Sequence, residues 1–225
     1  MEPVFSTILT SYNRSALLED AVASVFNQTF KNWELIIADY SCDKEERKKI
    51  SDFGKRLIAG DERFSFIQYP AVEKENNTEQ CNYAIHINKC LKRAKGKYIT
   101  YLCDDDLYLP EYYQVMLDTF TKYPQAKIVY TGLSVCKLGE DKCVLSRPAE
   151  HIKRCMFYSV DHICVAHERE IIDEVGGWDE AKWARTYGDA EVWYKFAMAG
   201  HLAYPTGKYT AVKRICKDSY NATGA

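Results

Sequence analysis

No stretch of this sequence is apolar for long enough to cross a bilayer. Every hydrophobic run stops short of about 18 residues, and Met1-Glu2-Pro3-Val4 leads straight into a strand-like segment. Neither a spanning helix nor a signal peptide is expected, so the expected location is the cytosol, with peripheral membrane association left open. No dense basic run is present and the formal net charge is −2, which argues against a nucleic-acid backbone as partner. The nine cysteines never fall in a C-x-x-C spacing. Scattered and odd in number, most of them are read as reduced and buried as small apolar residues. Repeats and low-complexity linkers are absent, so one compact unit is expected. Four N-x-S/T sequons, at Asn13, Asn27, Asn76 and Asn221, are read as chance, because Asn13 falls in a loop assigned below to a ligand.

What is present is the material of a globular core: 47% hydrophobic and 28% charged residues over 225 positions. Val4–Leu9 reads as a first strand, ending in the polar loop Thr10-Ser11-Tyr12-Asn13-Arg14. Leu17, Leu18, Ala21, Val22, Val25 and Phe26 recur at helical spacing from Ser15 to Gln28, and Trp33–Asp39 reads as a second strand ending on a carboxylate. Strand, helix, strand in that order opens a nucleotide-binding half of an α/β sheet. A charged helix over Asp43–Ala59, a short strand over Arg63–Tyr69, a polar loop over Glu73–Gln80 and a helix to about Ala94 lead to a strand over Lys97–Cys103. Beyond it the pattern predicts a helix over Glu111–Tyr123 opened by Pro110, a strand over Ala126–Lys137, a turn at 139–142 and a hairpin return through Val144-Leu145. A strand-like patch over Tyr158–His167 follows, then a short helix over Glu168–Val175 ended by Gly176-Gly177, and a helix opened by Gly188 with acids in its first turn. The expected organisation is a nucleotide half over about 1–106, a second half over about 107–215 and a weakly patterned tail over 216–225.

The chemistry concentrates at Asp104-Asp105-Asp106, at the carboxyl end of the Lys97–Cys103 strand. Ligands bind at that edge of an α/β sheet. Three adjacent ionised side chains repel one another unless a divalent cation or many hydrogen-bond donors offset the charge. A solvated acidic turn is the plain alternative. A helix cap explains the triplet poorly, since a helix starting at Pro110 takes its cap at Leu109. The strand ends gather Thr10 to Arg14, Asp39 and Asp104 to Asp106 at one edge.

Thr10-Ser11-Tyr12-Asn13-Arg14, Ser24-Val25-Phe26-Asn27-Gln28-Thr29-Phe30, Trp33-Glu34-Leu35-Ile36-Ile37-Ala38-Asp39 and Gly96-Lys97-Tyr98-Ile99-Thr100-Tyr101-Leu102-Cys103-Asp104-Asp105-Asp106 resemble, in order and spacing, the successive signatures of family 2 glycosyltransferases. The likeness runs over residues 4 to about 200. Asp161-His162 before a hydrophobic segment, and Gly188-Asp189-Ala190, are similar to the spore-coat polysaccharide branch of that family. The resemblance implies a GT-A fold, with a Rossmann-like mixed central sheet flanked by helices. It also implies inverting transfer of a sugar from a nucleoside diphosphate to an acceptor hydroxyl on a glycan, polysaccharide or lipid, assisted by Mn²⁺ or Mg²⁺. The sequence departs from the family at Tyr40-Ser41, where a second acid and a glycine are usual, at Cys103, where an acid is frequent, and at Asn82, where an arginine-like donor is common.

A uracil or thymine ring carries an imide N–H that a carboxylate accepts, so Asp39 is suited to read a UDP or dTDP base, or else to cap a turn. Tyr12 is suited to stack on that base or to serve as a structural aromatic. Thr10 and Asn82 join the nucleotide contacts, and Arg14 either assists the phosphates or is a solvated surface residue. Asp105 is the expected principal metal ligand, with Asp104 toward the ribose or the metal's waters and Asp106 supporting the metal shell. Asp189 stands at the family's base position, opposite the leaving group, with Glu191 as fallback; its alternative role is to favour the helix dipole. Strand alternation puts His162 on one face with Cys164 and Ala166, and His167 on the other, which argues against zinc and leaves His162 an acceptor contact or a structural histidine. Trp178, Trp183 and Tyr187 precede Asp189 as an acceptor platform or as anchors of a loop. Two other readings compete. A sugar-phosphate nucleotidyltransferase wants a glycine-rich loop after the first strand, and Thr10 to Arg14 has no glycine. A non-catalytic nucleotide-sugar or glycan-binding module would keep the fold without the chemistry.

Overall fold

The computed structural model describes residues 2–71, 80–139, 143–154, 156 and 159–216. Strands β1 (Phe5–Ser11), β2 (Trp33–Asp39), β3 (Phe64–Gln68) and β4 (Tyr98–Cys103) run parallel in the order β3-β2-β1-β4. They are linked by helices α1 (Ser15–Phe26), α2 (Lys44–Gly60) and α3 (Asn82–Leu91). β1, β2 and β4 are buried at almost every position, as strands covered on both faces must be; β2 and β4 accordingly read as largely apolar runs, and β1 adds small Ser and Thr side chains. α2 starts where the Asp43 carboxylate accepts the N–H groups of Glu45 and Glu46. Gly96 lets the chain enter β4 hard against β1: a Cβ there would lie 2.5 Å from the Ser6 nitrogen.

After β4 come β5 (Leu107–Tyr108), α4 (Tyr112–Lys122), β6 (Ile128–Lys137), β7 (Cys143–Arg147), a 3-10 turn (His162–Cys164), β8 (Val165–Glu168), α5 (Arg169–Glu174), α6 (Ala184–Met198) and β9 (Ala203–Ile215). They extend the sheet to β3-β2-β1-β4-β8-β6-β9-β5, with β7 paired on β6. β8 lies antiparallel to both β4 and β6, so the sheet is mixed, as expected. Fully buried Gln28 locks α1 to the segment beyond the acids: its Nε2 donates to the Ser24 and Leu109 carbonyls (3.0 and 2.7 Å), and its Oε1 accepts from the Tyr113 N–H (3.1 Å).

Three expectations are corrected, and a strand and a disulfide are present that none of them named. Pro110 does not open a helix; Leu107–Tyr108 pairs with β9 and α4 begins after Glu111. The Tyr158–His167 patch is not one strand, because the Asp161 side chain accepts the Ile163 N–H and turns His162–Cys164 into a 3-10 turn, so the expected face alternation fails. α6 begins at Ala184 and kinks at Tyr187 (φ −129°) before Gly188, so the acids follow a kink rather than a helix start. β9 is the longest strand, hidden in the sequence by Pro205, Gly207 and the charges at Lys208, Lys213 and Arg214. Cys136 and Cys143 form a disulfide, because the β6–β7 register sets them opposite each other; Cys81, Cys90, Cys164 and Cys216 are buried thiols outside any disulfide, as expected. Most of the Glu73–Gln80 loop, the turn at 140–142, Tyr158, Asn76, Asn221 and the tail from 217 lie outside the described residues. No helix among the described residues is long and apolar enough to cross a membrane.

Candidate active site

Parallel register sets Thr10 beside Cys103 and Ser11 beside Asp39 at one edge of the sheet, and the acidic triplet leaves β4 there. The Asp104 N–H donates to the Thr10 carbonyl (3.2 Å), and the Tyr12 N–H donates back to Asp104 Oδ2 (2.8 Å). Asn13 takes a positive φ of 55°, which asparagine tolerates, and its Oδ1 accepts the N–H groups of Cys42 and Asp43, tying this loop to the end of β2. Arg14 is then aimed at the acids: its Nη1 lies 3.3 Å from Asp104 Oδ1 and 2.6 Å from Asp105 Oδ2. The solvated reading of Arg14 is therefore corrected. Burial pushes the Asp104 carboxyl up to about 7, against the pull of Arg14 and the Tyr12 N–H. Asp106 is pushed up to about 8 by burial, with Lys213 opposing and Asp105 adding to it.

Asp39 is fully buried at the end of β2. Its Oδ1 accepts from the Ser41 N–H and hydroxyl, and its Oδ2 from Gln68 Nε2 (2.9 Å). Ser41, which stands where the family resemblance leads one to expect glycine, thus serves as an internal donor to Asp39. The Tyr12 ring packs on Tyr40 at 5.2 Å, and Tyr40 stacks on His86 at 4.6 Å.

A second cluster faces the triplet. His162 Nε2 lies 3.1 Å from Cys103 Sγ at the end of β4, and its Nδ1 lies 3.1 Å from Asp161 Oδ1 and 3.9 Å from Asp189 Oδ2. Asp161 Oδ2 accepts from Lys213 Nζ on β9 at 2.5 Å. Burial disfavours the charge on His162, but the Cys103 sulfur and the Asp161 carboxylate override it and hold the imidazolium well above its usual range. The Asp161 carboxyl is held far below its usual range despite burial, by His162 and Lys213. Burial raises Asp189, with His162 opposing. Gly188 allows α6 to pack on Tyr83, since a Cβ there would lie 2.0 Å from the Tyr83 hydroxyl. That contact sets where Asp189 begins its helical turn.

Thr10, Tyr12, Arg14, Asp39, Asp104, Asp105 and Asp106 come together at one edge, and His162 joins that edge to Asp189. Asn82 opens α3; its carbonyl bonds His86 Nδ1 (2.6 Å), and its side-chain amide makes no hydrogen bond among the described residues. Trp178 is corrected as an acceptor platform: it is 3% exposed and its ring is enclosed by Tyr83, Tyr101 and Trp193, whereas Trp183 and Tyr187 are exposed. Glu191 is buried, with its Oε1 paired to Lys195 at 2.8 Å and its Oε2 without a hydrogen-bond partner among the described residues. Lys213 and Arg214 went unread in the sequence. Arg214 binds the triplet through its own N–H to Asp106 Oδ1 (3.0 Å) and its Nε to the Asp105 carbonyl (2.6 Å), and reaches Asp20 at 2.6 Å. Their only signal is an adjacent pair of cations inside an otherwise apolar run, Thr210-Ala211-Val212-Lys213-Arg214-Ile215.

Among the described residues, two groups bring ligand atoms within 4.8 Å of one another: Cys103, Asp105 and Asp106, and Asp161, His162 and Asp189. The first fits a divalent cation by donor chemistry, with two carboxylates and a sulfur at the mouth of the edge. The second already has an ammonium on Asp161 and an imidazolium between its two acids, so its charge is balanced from within.

A family model described as "Glycosyl transferase family 2" matches residues 6–168. Protein CgeD of Bacillus subtilis is 33% identical over 84% of this chain and 45% of its own length. A putative teichuronic acid biosynthesis glycosyltransferase, TuaG, of the same organism is 25% identical over 98% of this chain and 82% of its own length. Among solved structures, S. aureus TarS 1-349 in complex with UDP-GlcNAc matches at a TM-score of 0.71 and 13% identity, over 100% of this chain and 62% of that one. The mannosyltransferase PcManGT from Pyrobaculum calidifontis, in complex with GDP-Man and Mn²⁺, matches at 0.65 and 16% identity, over 99% of this chain and 60% of that one. These likenesses bear out the GT-A fold. The chain spans less than half the length of CgeD.

Proposed function

The chain belongs to glycosyl transferase family 2, and on that premise we propose that it transfers a sugar from a UDP- or dTDP-sugar to a hydroxyl of a glycan, polysaccharide or lipid-linked acceptor, with inversion at the anomeric carbon. The observation that carries this reading is the bridge made by His162, 3.1 Å from Cys103 at the triplet edge and 3.9 Å from Asp189 on α6. Donor and acceptor groups on the two sides of that bridge meet at one centre. TarS and PcManGT, alike in fold, were solved with nucleotide sugars, which supports a donor of that class here.

In this reading Asp39 accepts the imide N–H of the base with a lone pair that Ser41 and Gln68 leave free, and Tyr12 and Tyr40 flank the ring. Asp105 and Asp106 would hold Mn²⁺ or Mg²⁺, and a cation bound there supplies positive charge against the departing diphosphate. Arg14 turns from Asp105 to the phosphates, so the arginine that pairs with the acidic edge also serves the donor. The acceptor oxygen attacks the anomeric carbon as the bond to the phosphate oxygen breaks, and the electron pair leaves with the diphosphate. The proton of the acceptor hydroxyl passes to Asp189, whose partial burial raises its affinity for that proton. His162 balances the charge of Asp189 before the proton arrives.

The test is thermal stability with UDP, dTDP, GDP and CDP, each with and without Mn²⁺. A ligand that binds the folded state raises the melting temperature by mass action. The expected result is a Mn²⁺-dependent rise with UDP or dTDP that Asp105→Ala abolishes. No rise with any nucleotide would overturn the proposal and favour a glycan-binding module.

A further inference from the structure

We propose that Cys103 supplies a sulfur ligand to the divalent-cation site, so that this chain prefers borderline and soft cations such as Co²⁺, Zn²⁺ and Cd²⁺ to Mg²⁺. The inference rests on the metal-assisted reading above and concerns which ion that site selects. Three observations support it.

The first is position. The Cys103 sulfur and one oxygen each of Asp105 and Asp106 lie within 4.8 Å of one another, roughly the span of two metal–ligand bonds of about 2.0–2.3 Å each. Cys103 is partly exposed at the strand end, unlike Cys81, Cys90 and Cys164, which are buried in the core. The second is orientation. His162 Nε2 faces the sulfur at 3.1 Å, while its Nδ1 faces Asp161 and Lys213 fixes Asp161 from behind. The ring thus touches the sulfur on one side and a fixed carboxylate on the other. A chain of charged groups running back from a sulfur is the outer-shell support that orients a ligand, and a packing cysteine has no use for it. The third is chemistry. Two carboxylates alone make a hard site suited to Mg²⁺, and adding a sulfur shifts preference toward softer ions. On binding, the thiol proton leaves to solvent and the sulfur–metal bond takes its place, so charge and protons balance.

The experiment titrates the whole chain with Cd²⁺ and with Mg²⁺, separately and in competition, and follows the sulfur-to-metal charge-transfer absorption of the Cd²⁺ form. Mn²⁺ binding is measured in parallel by the loss of the free-ion paramagnetic signal. The wild type should develop the band at one equivalent of Cd²⁺. Cys103→Ser should lose it, with Cd²⁺ affinity falling about 10-fold or more while Mg²⁺ affinity is retained. Cys103→Asp should also lose the band but move preference toward Mg²⁺, a gain that misfolding cannot produce. Cys42→Ser and Cys216→Ser should keep the band. Persistence of the band in Cys103→Ser would overturn the inference. So would an unchanged Cd²⁺-to-Mg²⁺ preference in Cys103→Ser while Mn²⁺ still binds through Asp105, an outcome that leaves the metal-assisted reading standing. Failure of every ion to bind would overturn both.

Discussion

On the β1–β4 side of the sheet the polar groups come straight off strand ends. Parallel register sets Thr10 beside Cys103 and Ser11 beside Asp39, and backbone N–H groups of Tyr12, Ser41 and Arg214 hold the carboxylates of Asp104, Asp39 and Asp106. On the far side Asp161, His162, Asp189 and Lys213 arrive from a 3-10 turn, a kinked helix and the last strand. Asp161 and Asp189 each accept one nearby backbone N–H, from Ile163 and Ala190, and otherwise the four are held by one another's charge. The difference teaches where each side is vulnerable. A carboxylate gripped by backbone donors keeps its partners when a neighbouring side chain changes, whereas a buried network of side-chain charges loses its balance when any one member is removed.

The sharpest break between the two sides is catalytic. Asp189→Asn should lower turnover of a nucleotide-sugar donor by about 10²–10⁴-fold while leaving the Mn²⁺-dependent thermal shift with UDP or dTDP intact. Steady-state kinetics and the thermal shift together test this, and retained turnover would remove Asp189 as the base. Next is Lys213→Met, which leaves buried Asp161 without its ammonium partner and Asp106 without a compensating charge. Urea unfolding should record a loss of about 3–5 kcal/mol, partly restored by adding Asp161→Asn. A loss below about 1 kcal/mol would mean that the network is screened like a surface pair.

A pH series should reveal where the two sides behave alike. Burial lowers both His86, on α3, and His167, on β8, from the ordinary 6.5 to about 4. Above 6.5 neither the folded nor the unfolded chain carries these protons, and below 4 both do; in between, only the unfolded chain binds them. Stability therefore rises with pH across this window, and falls by about 3 kcal/mol per histidine as pH drops through it. Urea midpoints at neutral and mildly acidic pH for wild type, His86→Phe and His167→Leu should show each variant losing its share of the slope. The smallest effect is expected at Gln28→Leu, which strips the Leu109 carbonyl and Tyr113 N–H of a buried partner. It should cost about 1–3 kcal/mol in the same unfolding assay.

The donor edge was legible because its residues are contiguous. Asp39 and the triplet each follow an apolar strand, and a parallel strand of any register delivers its last residue to the same edge. Arg14 was half-legible: its position in the loop was evident, but its pairing with Asp104 and Asp105 depends on the positive φ of Asn13 and the return of the loop to Cys42. The far side was less legible for definite reasons. Asp161 behaves as a turn cap, so a segment with strand composition became a 3-10 turn. Trp178 carries the composition of a sugar platform, yet it is enclosed by three aromatic residues from other segments. Glu191 Oε1 is tied to its own helix through Lys195. Lys213 and Arg214 broke the very alternation that would have marked β9.

The sequence by itself determined the parallel βαβ core, the edge at which Thr10, Asp39 and the triplet gather, and the family, because apolar periodicity and strand-end residues are local properties that need no distant partner. Only the tertiary structure decided that Cys103, His162, Asp161 and Lys213 form one line between the triplet and Asp189. Those contacts join residues 52 and 59 positions apart. They exist because β9 and the 3-10 turn pack beside β4, and burial obliges each of their charges to find a partner of the opposite sign.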